Sequence, residues 1–217
     1  MPQHPRLVIF GLGYLGSALA RLALAEGWQV AGLVRTEQQA ALWRARGVET
    51  AVGDVAETDW HERLSPTADY VVNVVSASGG DYARTYVDGN CSIRQWARRG
   101  RVGTLVYTST TGVYTQDHDE EVDEDSPVGG DPKADILVKA EQVWTEFPPS
   151  HSPKRFFVLR LGGLYGPGRH HLLTDIQRGE GVIPGRGDYL INYLHREDAV
   201  RAIVAVLEAP KTIKNRV

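Results

Sequence analysis

Short hydrophobic runs alternate along the chain with longer segments in which apolar residues recur at helical spacing. The runs are apolar throughout, which is typical of strands that are covered on both faces of a parallel sheet. The predicted strands cover residues 6–10, 30–34, 48–52, 70–75, 104–108 and 156–161, with a short one near 190–193. The predicted helices cover residues 12–26, 82–99, 133–147 and 196–208, and another helix ends at Arg46. This order predicts an α/β fold with a doubly wound parallel sheet of the Rossmann type.

The pattern changes after residue 161, where the chain becomes irregular and rich in glycine. We therefore expect a Rossmann domain over residues 1–161 and a small substrate-binding lobe over residues 162–217. The helix at about 196–208 is expected to pack back on the Rossmann domain.

A glycine motif, G-L-G-Y-L-G at residues 11–16, follows the first predicted strand and opens the first predicted helix. Gly11 permits the tight turn, Gly13 lets a pyrophosphate approach the backbone, and Gly16 lets helix and strand pack closely. The helix N-terminus also offers unpaired N–H groups to an anion. A glycine turn can be purely structural, but its strand–turn–helix context favours an NAD(P)-binding domain.

Arg35 stands at the end of the second predicted strand, where NAD-binding proteins usually carry an acid. An arginine suits the 2′-phosphate of NADP, so NADP is the expected cofactor and NAD the alternative; a solvated loop arginine also fits. Asp54, after the third strand, either lies over the adenine or caps a helix. The expected cofactor-binding residues are Gly11, Gly13, Tyr14, Leu15, Gly16, Arg35, Asp54, Val75, Ser76 and Thr108.

Five blocks together resemble the extended short-chain dehydrogenases/reductases, the NAD-dependent epimerase/dehydratase family. They are the glycine turn, G-D at 53–54, Y-T-S-T-T-G-V-Y at 107–114, Arg160 with L-Y-G-P-G at 164–168, and H-R-E-D-A at 195–199. The resemblance covers nearly the whole chain and implies hydride chemistry on a small molecule, for which a nucleotide sugar is one candidate. Such chains continue past the helix that ends near residue 209, so the resemblance implies either an incomplete substrate lobe or a naturally minimal protein.

In that family a Ser or Thr after the fifth strand hydrogen-bonds the substrate oxygen, and a Tyr-x-x-x-Lys on the next helix transfers the proton. The resemblance assigns the Ser/Thr position to Thr110. A hydroxyl that caps the end of its own strand is the alternative role for this residue.

The family tyrosine is absent from this chain. If Lys139 is the family lysine, Asp135 stands at the tyrosine position, and the two also form an ordinary ion pair at helical spacing. If residues 140–141, Ala-Glu, are aligned instead, the two positions hold Lys133 and Leu137. The predicted catalytic residues are Thr110 and Lys139, and Tyr114 or Tyr165 could supply a phenol from elsewhere.

Two functions of different classes follow. The first is an NADP-preferring epimerase/dehydratase-like oxidoreductase, in which Thr110 orients the substrate and Lys139 anchors a ribose or assists proton transfer. The second is a non-catalytic NAD(P)-binding or redox-sensing module. The missing tyrosine favours the module, whereas the retained block from Thr110 to Tyr114 favours the enzyme.

Two polar clusters suggest metal ions, but their spacing argues against this. The acidic run at 117–125 lacks the glycine and ligand spacing of an EF-hand, which predicts a solvated loop. The residues His170, His171, Asp175 and His195 show no tetrahedral set, so no metal site is expected.

Three arginines, Arg160, Arg169 and Arg186, lie in or near the segment that the resemblance assigns to substrate binding. A guanidinium fork there could bind a pyrophosphate or a carboxylate. Surface arginines on glycine-rich loops are the alternative.

The composition of the chain argues against two classes of partner, nucleic acids and membranes. The chain has 24 basic and 27 acidic residues without a basic block, which argues against nucleic acid, and no apolar run approaches the length of a membrane span. The start of the chain leaves no room for a signal peptide, and the single Cys91 cannot form an internal disulfide, so a cytoplasmic protein is expected. A homodimer through helices 82–99 and 133–147 is an expectation, unless Ile136, Val143 and Trp144 belong to the core.

Overall fold

The computed structural model describes residues 4–77, 79–116, 120–145, 152–179 and 190–213. A six-stranded sheet runs in the order β3-β2-β1-β4-β5-β6 with every pair parallel. Its strands are β1 (Arg6–Phe10), β2 (Gln29–Val34), β3 (Glu49–Val52), β4 (Ala68–Asn73), β5 (Val102–Thr110) and β6 (Arg155–Leu161). The predicted doubly wound parallel sheet is confirmed. Four predicted features, Asp117, Asp119, Arg186 and the last two residues of the helix at 133–147, lie outside the described ranges.

Six α-helices accompany the strands in the described ranges. They are α1 (Tyr14–Ala25), α2 (Glu37–Arg44), α3 (Gly89–Arg98), α4 (Pro132–Thr145), α5 (His171–Arg178) and α6 (Arg196–Glu208). A π-helical segment, Ala83–Asp88, leads into α3, so the helix predicted over 82–99 is continuous in space but not uniform in its winding. None of the described helices is long and apolar enough to cross a membrane.

The sheet separates two hydrophobic cores, because successive side chains of a strand point to opposite faces. Leu7 and Ile9 of β1 contribute to one core, which also holds apolar side chains of α1, α2 and α6. Val8 and Phe10 contribute to the other core, with α3, α4 and three tryptophans. The last helix, α6, thus packs on the same side of the sheet as α1.

Several strand boundaries differ from the sequence prediction; for example, the strand predicted over 104–108 is longer at both ends, as Val102–Thr110. Two further differences have a visible local cause. The strand predicted over 70–75 ends at Asn73, because the Asn73 side chain accepts the Val75 amide and turns the chain away from the sheet. The strand predicted near 190–193 lies later, as β8 (Tyr193–His195), and pairs with β7 (Gly163–Tyr165) in a separate two-stranded parallel sheet. A tight turn in which the Tyr193 amide donates to the Ile191 carbonyl keeps the earlier residues out of the strand.

Candidate functional site

A cleft of about 770 Å³ opens where the strands of the large sheet end. The segments that follow β1 to β6 line it, which is where open parallel sheets bind ligands. Within the described wall, Arg35, Asp54 and Arg169 are the charged residues. Each of the expected cofactor-binding residues except Gly16 lies in this wall.

The three glycines of the turn have different local surroundings. Gly11 has a φ of +95°, and a Cβ there would lie 3.0 Å from the backbone of Val75. A Cβ on Gly16 would lie 2.1 Å from the carbonyl oxygen of Gly11, so α1 could not pack against the turn. A Cβ on Gly13 would meet no atom within 4 Å. Gly11 and Gly16 therefore build the turn, whereas Gly13 leaves open space beside it.

The N-terminus of α1 faces this space without a side-chain cap. Gly13 is the N-cap residue, no side chain hydrogen-bonds to the cap, and the first turn carries no acid. The first N–H groups of a helix have no intrahelical partner and favour an anion. Tyr14 and Leu15 follow in the wall of the cleft. The turn thus fits the pyrophosphate of a dinucleotide by both shape and charge.

The far end of the cleft carries opposite charges. Arg35 is exposed and lies beside Gln39 in the wall. Asp54 accepts hydrogen bonds from the Ala56 amide and the Arg84 guanidinium, both at 3.0 Å, and these two partners hold the pKa of Asp54 below its ordinary value. Asp54 is therefore a charged carboxylate at the start of a turn, and no helix begins there.

Four residues with hydroxyl groups at the end of β5 line the cleft, and three of them are Thr108, Ser109 and Thr110. Thr108 donates a hydrogen bond to the Asn73 carbonyl at 3.2 Å. Thr110 accepts one from the Gly112 amide at 3.1 Å, so it caps the short 3-10 turn that follows β5 and lines the cleft as well. The hydroxyl of Ser109 is buried and makes no hydrogen bond within the described residues.

Helix α4 presents an apolar residue to the cleft. Leu137 lies in the wall. It stands at the position of the family lysine when residues 140–141 are aligned with the family's Ala-Glu. Asp135 instead accepts a hydrogen bond from the Gly130 amide at 2.9 Å. Lys139 is exposed and lies outside the wall, so the structure does not bring it together with Thr110. The ammonium of Lys133 is exposed and lies 5.9 Å from the ring centroid of Tyr82.

The two tyrosines that the sequence offered as alternative phenols, Tyr114 and Tyr165, lie outside the cleft wall. Tyr114 donates its hydroxyl proton to the Asp123 carbonyl at 2.7 Å and accepts a hydrogen bond from Arg160 at 2.9 Å. Tyr165 packs against aromatic neighbours, with its ring centroid 5.2 Å from that of His195. Both residues therefore support the framework of the site.

Two other tyrosines, Tyr86 and Tyr107, do reach the cleft wall, and sequence reasoning missed both. The hydroxyl of Tyr86, in the π-helical segment, accepts a hydrogen bond from the Ala77 amide at 3.3 Å. Tyr107 is almost fully buried in β5, and burial raises the pKa of its phenol. The position of Tyr86 depends on a π-helical winding and that of Tyr107 on a strand end, and no local motif marks either.

Arg160, a candidate anion-binding residue, is already occupied by a protein carboxylate. Its guanidinium contacts both oxygens of Glu141, with the shortest distance 2.8 Å. This pair lies beside the cleft but outside its wall. Arg169, in contrast, does line the cleft.

The described residues contain no group of three or more His, Cys, Asp or Glu side chains placed to hold a metal ion.

The sheet, the glycine turn at an uncapped helix start and the cleft above it define a Rossmann-type dinucleotide-binding protein. Residues 7–217 match the sequence model of the NAD dependent epimerase/dehydratase family, so the chain belongs to this family. The resemblance inferred from the sequence blocks is confirmed, and the family is NAD-dependent.

The chain is also similar to individual relatives and solved structures. Protein YeeZ of Escherichia coli strain K12 is 28% identical over 220 residues, which cover 95% of this chain and 74% of YeeZ. An NAD-dependent epimerase/dehydratase structure from Methylobacillus flagellatus is 25% identical, with a TM-score of 0.74 over 98% of this chain and 74% of the other. A Bacillus cereus UDP-glucuronic acid 4-epimerase, solved with a UDP-sugar and NAD, has the same fold, with 19% identity and a TM-score of 0.80 over 98% of this chain and 76% of its own.

Proposed function

We propose that the protein is a nicotinamide-dinucleotide-dependent oxidoreductase of the epimerase/dehydratase type that acts on a small molecule. One observation carries the proposal: the open glycine turn at the start of α1 and the hydroxyl of Thr110 line the same cleft. A structural glycine turn alone would not require a polar strand end across from it. A dinucleotide supplies the hydride when it is bound, and the chain supplies placement and electrostatics.

Thr110 is suited to bind the substrate oxygen. A threonine hydroxyl has one proton and two lone pairs, and Thr110 uses a lone pair for the Gly112 amide. Its proton is therefore available for an oxygen in the cleft. A donor aimed at an oxygen that gains negative charge favours the transition state over the ground state.

Proton transfer needs a group other than the family tyrosine. Lys139 would have to move into the cleft to take this role, because it is exposed outside the wall. We assign the role to Tyr86, whose oxygen lies in the cleft wall and accepts the Ala77 amide. This hydrogen bond uses a lone pair of the oxygen, so the hydroxyl proton remains available for donation to a group in the cleft. Leu137 contributes an apolar wall in the same cleft.

NADP is the cofactor that the wall residues favour. Arg35 is exposed at the end of β2, where it can meet a 2′-phosphate with two parallel N–H groups. The next residue, Thr36, caps α2 by accepting the Gln39 amide, so this helix start is already satisfied by its own side chain. The guanidinium of Arg35 is therefore the positive group available to the ribose that carries the 2′-phosphate of NADP.

The substrate class is proposed from the relatives with the same fold. The Bacillus cereus epimerase was solved with a UDP-sugar, and a second protein of this fold, MoeE5, with UDP-glucose and NAD. Nucleotide sugars are therefore the first substrates to test. We retain a cytoplasmic location and a homodimer as parts of the proposal. Val143 and Trp144 are buried inside the chain, so a dimer through α4 would use its polar positions together with Ile136 and Val138.

The test is a hydride-transfer assay with NADPH and NADH against nucleotide sugars, aldehydes and ketones. We expect Thr110→Ala to lower kcat/KM about 100-fold without changing cofactor affinity, as for the loss of one oxyanion donor. Thr111→Ala is the matched control, since Thr111 lies outside this cleft wall. Tyr86→Phe is expected to lower kcat/KM and to leave dinucleotide affinity unchanged, because it removes only the hydroxyl group that would donate the proton. Dinucleotide binding without turnover on any substrate of the panel would instead support the non-catalytic module.

A further inference from the structure

A tight turn in the C-terminal lobe brings an arginine onto the glycine turn. The Gly166 amide donates to the Arg169 carbonyl at 3.0 Å, and the Arg169 amide donates to the Gly166 carbonyl at 2.9 Å. Gly168 lies between them with a φ of +74°, which favours glycine. The guanidinium of Arg169 then lies 5.2 Å from the ring centroid of Tyr14.

Tyr14 is held firmly where this contact forms. Two guanidinium groups lie over its ring, since Arg196 is 4.9 Å from the same centroid. Its hydroxyl is buried and makes no hydrogen bond within the described residues. A Cβ on Gly166 would lie 3.0 Å from that hydroxyl and 3.0 Å from Nε2 of His195, so a larger residue at position 166 would displace the ring.

The two arginines on Tyr14 differ in charge balance. Arg196 hydrogen-bonds the carboxylate of Glu197 through two nitrogens, at 2.9 and 2.7 Å. Arg169 makes no ion pair with a carboxylate of the described chain, and it lies in the cleft wall. Its positive charge therefore has no protein carboxylate as counter-ion within the described residues, and it lines the same cleft as Gly13. The N–H groups of α1 already favour an anion in that cleft.

We propose that Arg169 binds a diphosphate held at the glycine turn, and thereby couples the C-terminal lobe to the cofactor. The inference rests on the proposed dinucleotide function. A guanidinium binds phosphate oxygens through parallel N–H groups, and the stack on Tyr14 orients its plane in advance. The diphosphate is that of the dinucleotide; a substrate diphosphate is the other source of the same chemistry.

Calorimetric titration with ADP-ribose, which carries the pyrophosphate without nicotinamide, tests this directly. Arg169→Ala is expected to weaken ADP-ribose binding about 10-fold to 100-fold, the usual effect of losing a charge-assisted hydrogen bond. AMP, measured by displacement of ADP-ribose, should keep its affinity because it lacks the diphosphate. The ADP-ribose affinity of Arg169→Lys should lie between that of the unaltered protein and that of Arg169→Ala, since an ammonium keeps the charge but lacks the planar fork of N–H groups. The matched control is Arg21→Ala, which removes an exposed charge from α1 away from the cleft wall.

Other results of these titrations would overturn the inference, the assignment to the cofactor or the proposed function. Unchanged ADP-ribose affinity in Arg169→Ala, or an equal loss in Arg21→Ala, overturns the inference. An equal loss of AMP affinity also overturns it, because the variant would then have altered the whole cleft. A loss confined to UDP, titrated into protein saturated with dinucleotide, would overturn the assignment to the cofactor and identify a substrate diphosphate. If the unaltered protein binds no dinucleotide, the proposed function itself fails.

Discussion

Arg160 on β6 and Glu141 on α4 form a buried ion pair, with N–O distances of 2.8, 3.1 and 3.3 Å. The side chains are 11% and 5% exposed, respectively. Leu137 lies one helical turn before Glu141 on the same face of α4. The pair therefore fixes the rotation of α4 that turns Leu137 toward the cleft and leaves Lys139 in solvent.

Loss of this carboxylate should destabilise the protein strongly. Glu141→Ala leaves the guanidinium of Arg160 buried without its counter-ion, so we expect the free energy of unfolding to fall by about 3 kcal/mol. Urea unfolding measures the change. The control is Glu37→Ala, which breaks the exposed pair with Arg44 and should cost less than about 1 kcal/mol. Equal effects of the two substitutions would show that the buried pair does not hold α4 in place.

Two alanine substitutions in the glycine turn should separate folding from binding. Gly16→Ala places a methyl group against the Gly11 carbonyl, so we expect lower stability and loss of dinucleotide binding. Gly13→Ala meets no protein atom within 4 Å, so its melting temperature should stay close to that of the unaltered protein. Its methyl group would still occupy the space proposed for the pyrophosphate and prevent binding. Normal dinucleotide affinity in Gly13→Ala would place the pyrophosphate elsewhere.

The sequence was sufficient to predict that the residues following strand ends lie together; their roles stay predictions. The glycine turn, Arg35, Asp54 and Thr110 all meet in one cleft, because the ends of parallel strands converge at one edge of the sheet. Their local motifs therefore carried enough information to place them.

The rotation of α4 could not be predicted in the same way. Its sequence allowed two alignments, and the contact that selects between them joins Glu141 to Arg160 on a different element. The access of Tyr86 to the cleft likewise depends on the π-helical winding of Ala83–Asp88, which differs from the ordinary helical period used to read the sequence. Arg160 was a candidate anion-binding residue because its carboxylate partner, Glu141, lies on a different element and cannot be identified from the sequence around Arg160.

The buried His61 should make the folded protein less stable as the pH is lowered. Burial, followed by repulsion from Arg99, lowers the pKa of His61, whose Nε2 lies 3.0 Å from the Ser92 hydroxyl. Below the ordinary histidine pKa of about 6.5 the unfolded chain binds a proton that the folded chain does not, so acid favours unfolding.

We expect the urea midpoint to decrease from pH 7.5 to pH 5.5 and His61→Gln to reduce that decrease. His4→Gln, at an exposed histidine, is the control. If both variants keep the full pH dependence, His61 is not its source.

Cofactor preference should depend on Arg35. Arg35→Ala removes the exposed guanidinium at the ribose end, so NADPH affinity is expected to fall about tenfold, as for a lost charge-assisted phosphate contact. NADH affinity should change less than about twofold, because NADH has no 2′-phosphate. Parallel fluorescence titrations measure both. Equal changes for the two cofactors would remove Arg35 from the specificity of the site.

Dinucleotide binding itself is measured by calorimetric titration of the purified protein with NADPH, NADH and their oxidised forms. We expect saturable binding at one site per chain, with NADPH the tighter reduced cofactor, and loss of that binding in the folded Gly13→Ala protein. Tighter binding of NADH would keep the dinucleotide site but reverse the proposed preference. Absence of binding by all four dinucleotides would contradict the account, since the glycine turn would then be only a structural element of the fold.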